Sequence, residues 1–289
     1  MAERIVMANS KGSATGMAFY GLPDQVDAQR LLEIAQTFFV DLGLKPNTVS
    51  YSVKLPQNAR GEDIGWKKAD ISTLREALAT EGAHDFYLEC VPPKSSQWIC
   101  SASFLTTWFL ADKEEYDNAG RLVCTYYCAD SAQLNRIFMR LAREMDDLTR
   151  TPYAIAYEID GDLADVSSYA NADGFLTIFK NEDARAWKTQ LPLGSRNVPK
   201  QYVERMRMVY PCNLLGPAHL AHTIEGGSLY DWIHAASDRG ALEALASGGA
   251  VWTVAPEHLE RINSILGEAG LLIGWKPKPS ALSSRRLPG

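Results

Sequence analysis

Cysteine is scarce: the 289 residues contain five, Cys90, Cys100, Cys124, Cys128 and Cys212. An odd number without short framework spacing excludes a disulfide scaffold and predicts reduced thiols in a cytoplasmic protein. Long apolar runs are missing too. The longest uncharged stretch, 95–111, holds Ser95, Ser96, Gln97, Ser101, Ser103, Thr106 and Thr107, too polar to span a bilayer. Residues 1–13 carry no apolar segment of the secretory-signal kind. No membrane partner is expected. Basic charge is in deficit, with 29 Lys and Arg against 35 Asp and Glu and a net charge of −6, which argues against a general nucleic-acid binder. Phosphate-cradling loops are absent as well. Lys11–Gly16 lacks the closing Gly-Lys-Ser/Thr, no dinucleotide fingerprint follows a strand, and no Gly-x-Ser-x-Gly elbow occurs. No cofactor is expected.

What remains is ordinary globular material, 46% apolar and 22% charged, on a chain long enough to bury roughly three quarters of its unfolded surface. Its charge is unevenly spread. Residues 1–150 carry four net negative charges and 151–275 carry six, whereas 276–289 (KPKPSALSSRRLPG) carry four positive ones. That Pro- and Ser-rich end is expected to be a disordered basic tail.

Periodicity places a weak strand at 4–8, a helix over 24–42, strands at 48–55 and 84–91, and a short helix at 70–80. Two β-rich runs, 98–110 and 121–129, flank an acidic Asn-containing loop and predict an antiparallel hairpin. The clearest amphipathic stripe follows, Leu134, Ile137, Phe138, Leu141, Met145 and Leu148 on one helix. A strand at 153–159 and an Asp-, Ser- and Asn-rich loop to 173 come next. Beyond these the pattern predicts a strand at 175–179 and helices at 182–191, 200–210, 229–236 and 257–269. It adds a hairpin over 241–254 and a closing strand at 271–275. The fold class expected is α+β, a mostly antiparallel sheet covered by helices in a two-layer architecture. Residues 1–275 read as a single domain, with a division into two subdomains near 150–175 left open.

Five histidines occur, and His219 and His222 stand three apart in AHLAH without the Glu of a zinc-protease helix. Ordinary loop histidines are the simpler reading, and no metal is expected. Cys124 and Cys128 sit four apart in a strand, so their Cα atoms are about 13 Å apart, beyond a local disulfide. A Cys–His nucleophile pair assembled from distant residues stays open as the enzyme alternative, beside His219 and His222. Acids are the distinct feature. They gather at Asp112, Glu114, Glu115 and Asp117; at Glu144, Asp146 and Asp147; and at Glu158, Asp160, Asp162 and Asp165. The second group opposes the dipole at a helix C-terminus, a hint that these acids face something other than water.

A family resemblance enters in the second half, through Arg207-x-Val209-Tyr210-Pro211-x-Asn213-Leu214-Leu215, His219-Leu220, Leu229–Ile233, Val251–Val254 and Gly270–Leu272. Phe19-Tyr20, Trp66 and Tyr153–Ala156 extend it into the first half. With these residues the chain resembles the bacterial toxin-immunity proteins of the type VI secretion group. The resemblance implies a non-catalytic inhibitor that binds a secreted toxin and occludes its active site. Joined to the acidic balance, it points to a basic toxin domain met by Asp112, Glu114, Glu115, Asp117, Asp160, Asp162 and Asp165, with the chain a monomer or homodimer.

Overall fold

The segment ATGMAFYGL, Ala14–Leu22, is buried along all nine residues. A strand in that condition has cover on both faces and shows no alternation of polar and apolar residues. It is β1, a central strand in the computed structural model, which describes residues 14–23, 25–54, 64–80, 83–106, 120–127, 131–191 and 201–278.

Around it the described chain runs as α1 (Ala28–Asp41), β2 (Thr48–Lys54), β3 (Ile64–Ala69), α2 (Ile71–Ala79), β4 (Phe86–Cys90), β5 (Cys100–Leu105), β6 (Gly120–Tyr127), α3 (Ser131–Thr149) and β7 (Tyr153–Ile159). The second half adds α4 (Leu163–Asn171), α5 (Ala184–Lys188), β8 (Cys212–Leu215), α6 (Pro217–Leu220) and the two-residue strands β9 (Thr223–Ile224) and β10 (Gly227–Ser228). It closes with α7 (Leu229–His234), β11 (Ala241–Ala244), β12 (Ala250–Thr253) and α8 (Leu259–Glu268). Ten strands form one sheet in the order β11-β12-β8-β7-β1-β6-β5-β4-β2-β3. Every neighbouring pair in it is antiparallel. The fold is α+β. Because β1 lies between β6 and β7, one sheet joins the strands on either side of residue 150.

Local chemistry sets the helix ends. Asp27, Asp70 and Asp162 cap α1, α2 and α4 by accepting the N–H of Arg30, Thr73 and Asp165. Ser228 caps α7, its Oγ accepting Asp231 N–H and donating to the Asp231 carboxylate. Gly43, at φ 66°, closes α1, with Leu44 N–H returning to Phe39 O.

Two cores result, one on each face. The first lies under α1, α2 and α3, whose inward residues Leu31, Phe38, Leu74, Leu134, Phe138 and Leu141 meet Phe19, Phe86, Phe104 and Leu122 of the sheet. The second packs α4, α5, α7 and α8 on Tyr20, Tyr153, Ile155, Tyr157 and Trp252. It takes no residue from β2, β3, β4 or β5, so among the described residues no helical core lies over that face of those strands.

Three expectations are corrected. Residues 175–179 form no strand. Within 200–210 only a 3-10 turn at Gln201–Val203 is helical. The backbone of Met206 and Arg207 bonds sideways instead, to Leu271, Ile273 and Gly274, which removes the i to i+4 partners a helix requires. The same pairing reduces the closing strand at 271–275 to isolated bridges, Met206 with Leu272 and Glu182 with Trp275. The strand at 4–8 and most of the basic tail lie outside the described residues. Lys276 and Pro277 are described, and both are tied to Asn181.

Candidate functional site

The residues that carry the family resemblance are mostly interior. Arg207 is 1% exposed, and both its Nε and Nη2 donate to Glu182 Oε1 at 2.9 Å. Tyr169 donates to the same carboxylate at 2.7 Å and lies under the Arg207 guanidinium at 3.5 Å. Burial alone would lower the Arg207 pKa, but Tyr169, Tyr210 and Glu182 outweigh it and raise it well above the ordinary value. Asn213 accepts from Tyr210 N–H and donates to Tyr210 O and Trp252 O. These groups are satisfied by one another, so they hold α4, α8 and the sheet together and offer nothing to a ligand.

His219 belongs to the same interior. It is 1% exposed and stacks on Tyr153 at 5.5 Å. Burial drives its pKa down to about 4, the backbone at Arg205, Tyr202 and Gly216 opposing only in part. His222 sits just past α6, and among the described residues no three His, Cys, Asp or Glu side chains group as metal ligands. The described cysteines are no better placed for chemistry. Cys90, Cys100, Cys124 and Cys212 are buried free thiols. Burial pushes the Cys124 thiol up to about 12 and raises Cys90 and Cys100, the reverse of an activated nucleophile. Cys128 lies outside the described residues.

The acids divide. Asp112, Glu114, Glu115 and Asp117 lie outside the described residues. The strands flanking them, β5 and β6, meet that segment at the end of the sheet where Gly120 faces Leu22. Asp160, Asp162 and Asp165 follow β7 at the opposite end, where Ile159 faces Ala14. Asp162 is spent on the cap of α4, and Asp165 sits in its first turn, where the helix dipole favours an acid. At the end of α3, Asp146 is buried and accepts Ser247 N–H at 3.1 Å, and Glu144 pairs with Arg140. What those helix-end acids face is this chain itself.

The second face of β2–β6 presents a different set. Register places Trp66, Ser52, Asp85, Leu105, Arg121 and Tyr20 in one cross-strand row and Lys68, Ser50, Tyr87, Ser103 and Val123 in the next. Trp66 is 49% exposed and its ring meets Tyr87 at 5.0 Å. Arg121 is 7% exposed, and its Nε donates to Asn171 Oδ1, at the end of α4, at 2.6 Å. Asp173, exposed just beyond α4, has its carboxyl raised by partial desolvation, with Arg121 and Lys188 opposing. Burial likewise lowers the pKa of Arg121. Trp66, Tyr87 and Arg121 are of the residue types that dominate protein–protein binding energy, and of the three only Trp66 is exposed. The sequence listed Trp66 only for its family resemblance and passed over Tyr87 and Arg121. Their one legible signal is the alternation of polar and apolar residues in β4 and β6.

No protein-family model and no curated protein matches the chain. Solved structures do. The T6SS protein PA0821 of Pseudomonas aeruginosa is similar at a TM-score of 0.54 and 12% identity, over 96% of this chain and 78% of that one. At that identity the likeness is one of fold. The toxic C-terminal tip of CdiA from Pseudomonas aeruginosa, in complex with immune protein, matches at a TM-score of 0.27 and 9% identity, over 50% of this chain and 86% of that one. A score so low carries no argument. Among the described residues no helix is long and apolar enough to cross a membrane.

Proposed function

We propose that this chain is a binding protein of the toxin-immunity kind, which neutralises a secreted bacterial toxin by covering its active site. The observation that carries the reading is the edge of the sheet at β3, where the exposed Trp66 ring meets Tyr87. Interfaces of high affinity rest on a few anchors of these residue types, framed by polar neighbours. Lys68, Ser50 and Glu89 supply such a frame here. Likeness of fold to a T6SS protein over 96% of the chain lends support, as do the residues shared with the type VI immunity group. The net charge of −6 favours a basic toxin surface, because complementary charge speeds encounter.

The test is protection. Where a secreted effector is encoded beside this gene, a strain expressing its toxin domain stops growing, and co-expression of this chain restores growth through a stable complex seen by size-exclusion chromatography. Growth arrest that persists at full expression of the folded chain refutes the proposal.

A further inference from the structure

The ten-stranded sheet ends in two unlike edges, β11 and β3. β11 is four residues long, and its one charged side chain, Glu243, pairs with Arg143 of α3. β3 is six residues long and presents Trp66, Lys67 and Lys68 in succession, all exposed. Neither lysine enters an ion pair among the described residues. The backbone of β3 is equally uncommitted on one side. Ser52 N–H bonds to Asp85 O, on the β4 side of β2, and successive residues of a strand turn their polar groups to opposite sides. Val49, Tyr51 and Val53 therefore bond to β3, through Ala69, Lys67 and Gly65. The N–H and C=O groups of Ile64, Trp66 and Lys68 point away from the sheet, and among the described residues no strand pairs with them. Such a row of unpaired groups is a template for one more strand. Trp66 is already placed beside it. Its ring leans across β2, where the register sets the small Ser50 and Ser52, onto Tyr87.

Resting on the immunity reading, we infer that the toxin adds an acidic strand to the outer side of β3. Charge selects the occupant. Lys67 shares the face of Tyr51 and Lys68 the face of Trp66, so the edge carries a cation on each face of the sheet. A second copy of the chain would bring the same lysines across the junction, where like charges repel, and edge lysines are a common guard against self-pairing. A strand with two successive acids meets one lysine on each face. In the antiparallel sense its residues opposite Lys68, Lys67 and Trp66 read acid, acid, apolar in chain order, and the apolar side chain covers the Trp66 ring. Main-chain hydrogen bonds then supply affinity, and the charge pair on either face supplies choice of partner. The demand of this edge is opposite in sign to the net charge of −6, which acts on the rest of the toxin surface.

Hydrogen exchange and titration calorimetry on the full-length chain test this with two probes. One is the inactivated toxin domain of an effector encoded beside this gene. The other is a disulfide-cyclised β-hairpin peptide whose outer strand reads Glu-Asp-Ile. Each is expected to slow amide exchange in residues 64–69 by about 10-fold or more, and the same hairpin reading Lys-Lys-Ile leaves it unchanged. Lys68→Pro removes one outward N–H and leaves the pairing with β2 intact. The double variant Lys67→Glu, Lys68→Glu keeps the backbone and reverses the charge. Both variants weaken binding of both probes by about 10-fold or more. A toxin domain that binds the two variants at full strength, without protecting 64–69, overturns the proposal and leaves the immunity reading standing. Hairpins that bind alike whatever their charge overturn it too, as does a free chain that dimerises through protected residues 64–69. If the acidic hairpin binds and the toxin domain does not, the immunity reading falls while the edge keeps its preference for an acidic strand. If neither probe binds, both fall.

Discussion

Arg207 and Arg121 are chemically the same residue in two opposite settings. Arg207 sits where the second core is thickest, between Tyr169, Glu182 and the backbone of β-bridge partners, and its Nη1 donates to Tyr169 O at 2.8 Å. Arg121 sits where that core stops, at the border of the helix-covered part of the same sheet face. The first charge is compensated within the chain. The second has an amide. Side chains that complete one another hold a fold, and on that contrast the network around Arg207 is scaffold.

The contrast breaks most visibly at the scaffold end. Arg207→Gln leaves Glu182 buried and uncompensated, so we expect a loss of about 3–5 kcal/mol in urea denaturation. A loss under 1 kcal/mol would remove the distinction between the two sites. Next is His219, also in the scaffold. Its folded pKa of about 4 lies below the unfolded value of about 6.5. Between these pH values the unfolded chain binds the extra proton, so stability falls as pH is lowered through that window. The stability it contributes is fully present above pH 6.5, and roughly 2 kcal/mol of it is gone by pH 5. His219→Phe keeps the stack on Tyr153, and its denaturation curves at pH 7.5 and pH 5 lose that one-proton dependence. Smaller again is Asp146→Ala, which frees Ser247 N–H in the β11–β12 turn and costs about 1 kcal/mol, read as a shift in thermal midpoint.

Legibility in the sequence followed the same border. Where one face of an element is wet, the pattern spoke: the α3 stripe from Leu134 to Met145 is buried as its spacing implies, and the 241–254 hairpin forms in register. β1 was silent. Its Ala and Gly residues have low strand propensity and both faces are covered, so no alternation marks it. Gly16 in it is dictated by packing, since a Cβ there would stand 2.5 Å from Tyr157 and from Val166. The settings of Arg121 and Tyr87 were hidden for another reason. Arg121 owes its setting to Asn171, fifty residues away, and Tyr87 to Trp66 across β2. Local spacing carries no trace of pairings that only the sheet creates. Of the acids at the end of α3, Asp146 faces something other than water, the Ser247 N–H, whereas Asp147 is exposed.

The sharpest use of the comparison is also its smallest stability effect. Arg121→Gln removes a charge whose desolvation is poorly repaid, and it returns an amide able to meet Asn171. The gain from relieving the buried cation and the loss of a charge-assisted hydrogen bond are similar in size, so the net change in unfolding free energy stays within about 1 kcal/mol of zero. The same substitution at residue 207 costs several times that. Side by side in urea, the two variants separate a charge the fold depends on from one it merely tolerates. If Arg121→Gln is as damaging as Arg207→Gln, the fold depends on both charges and the distinction between the two settings fails.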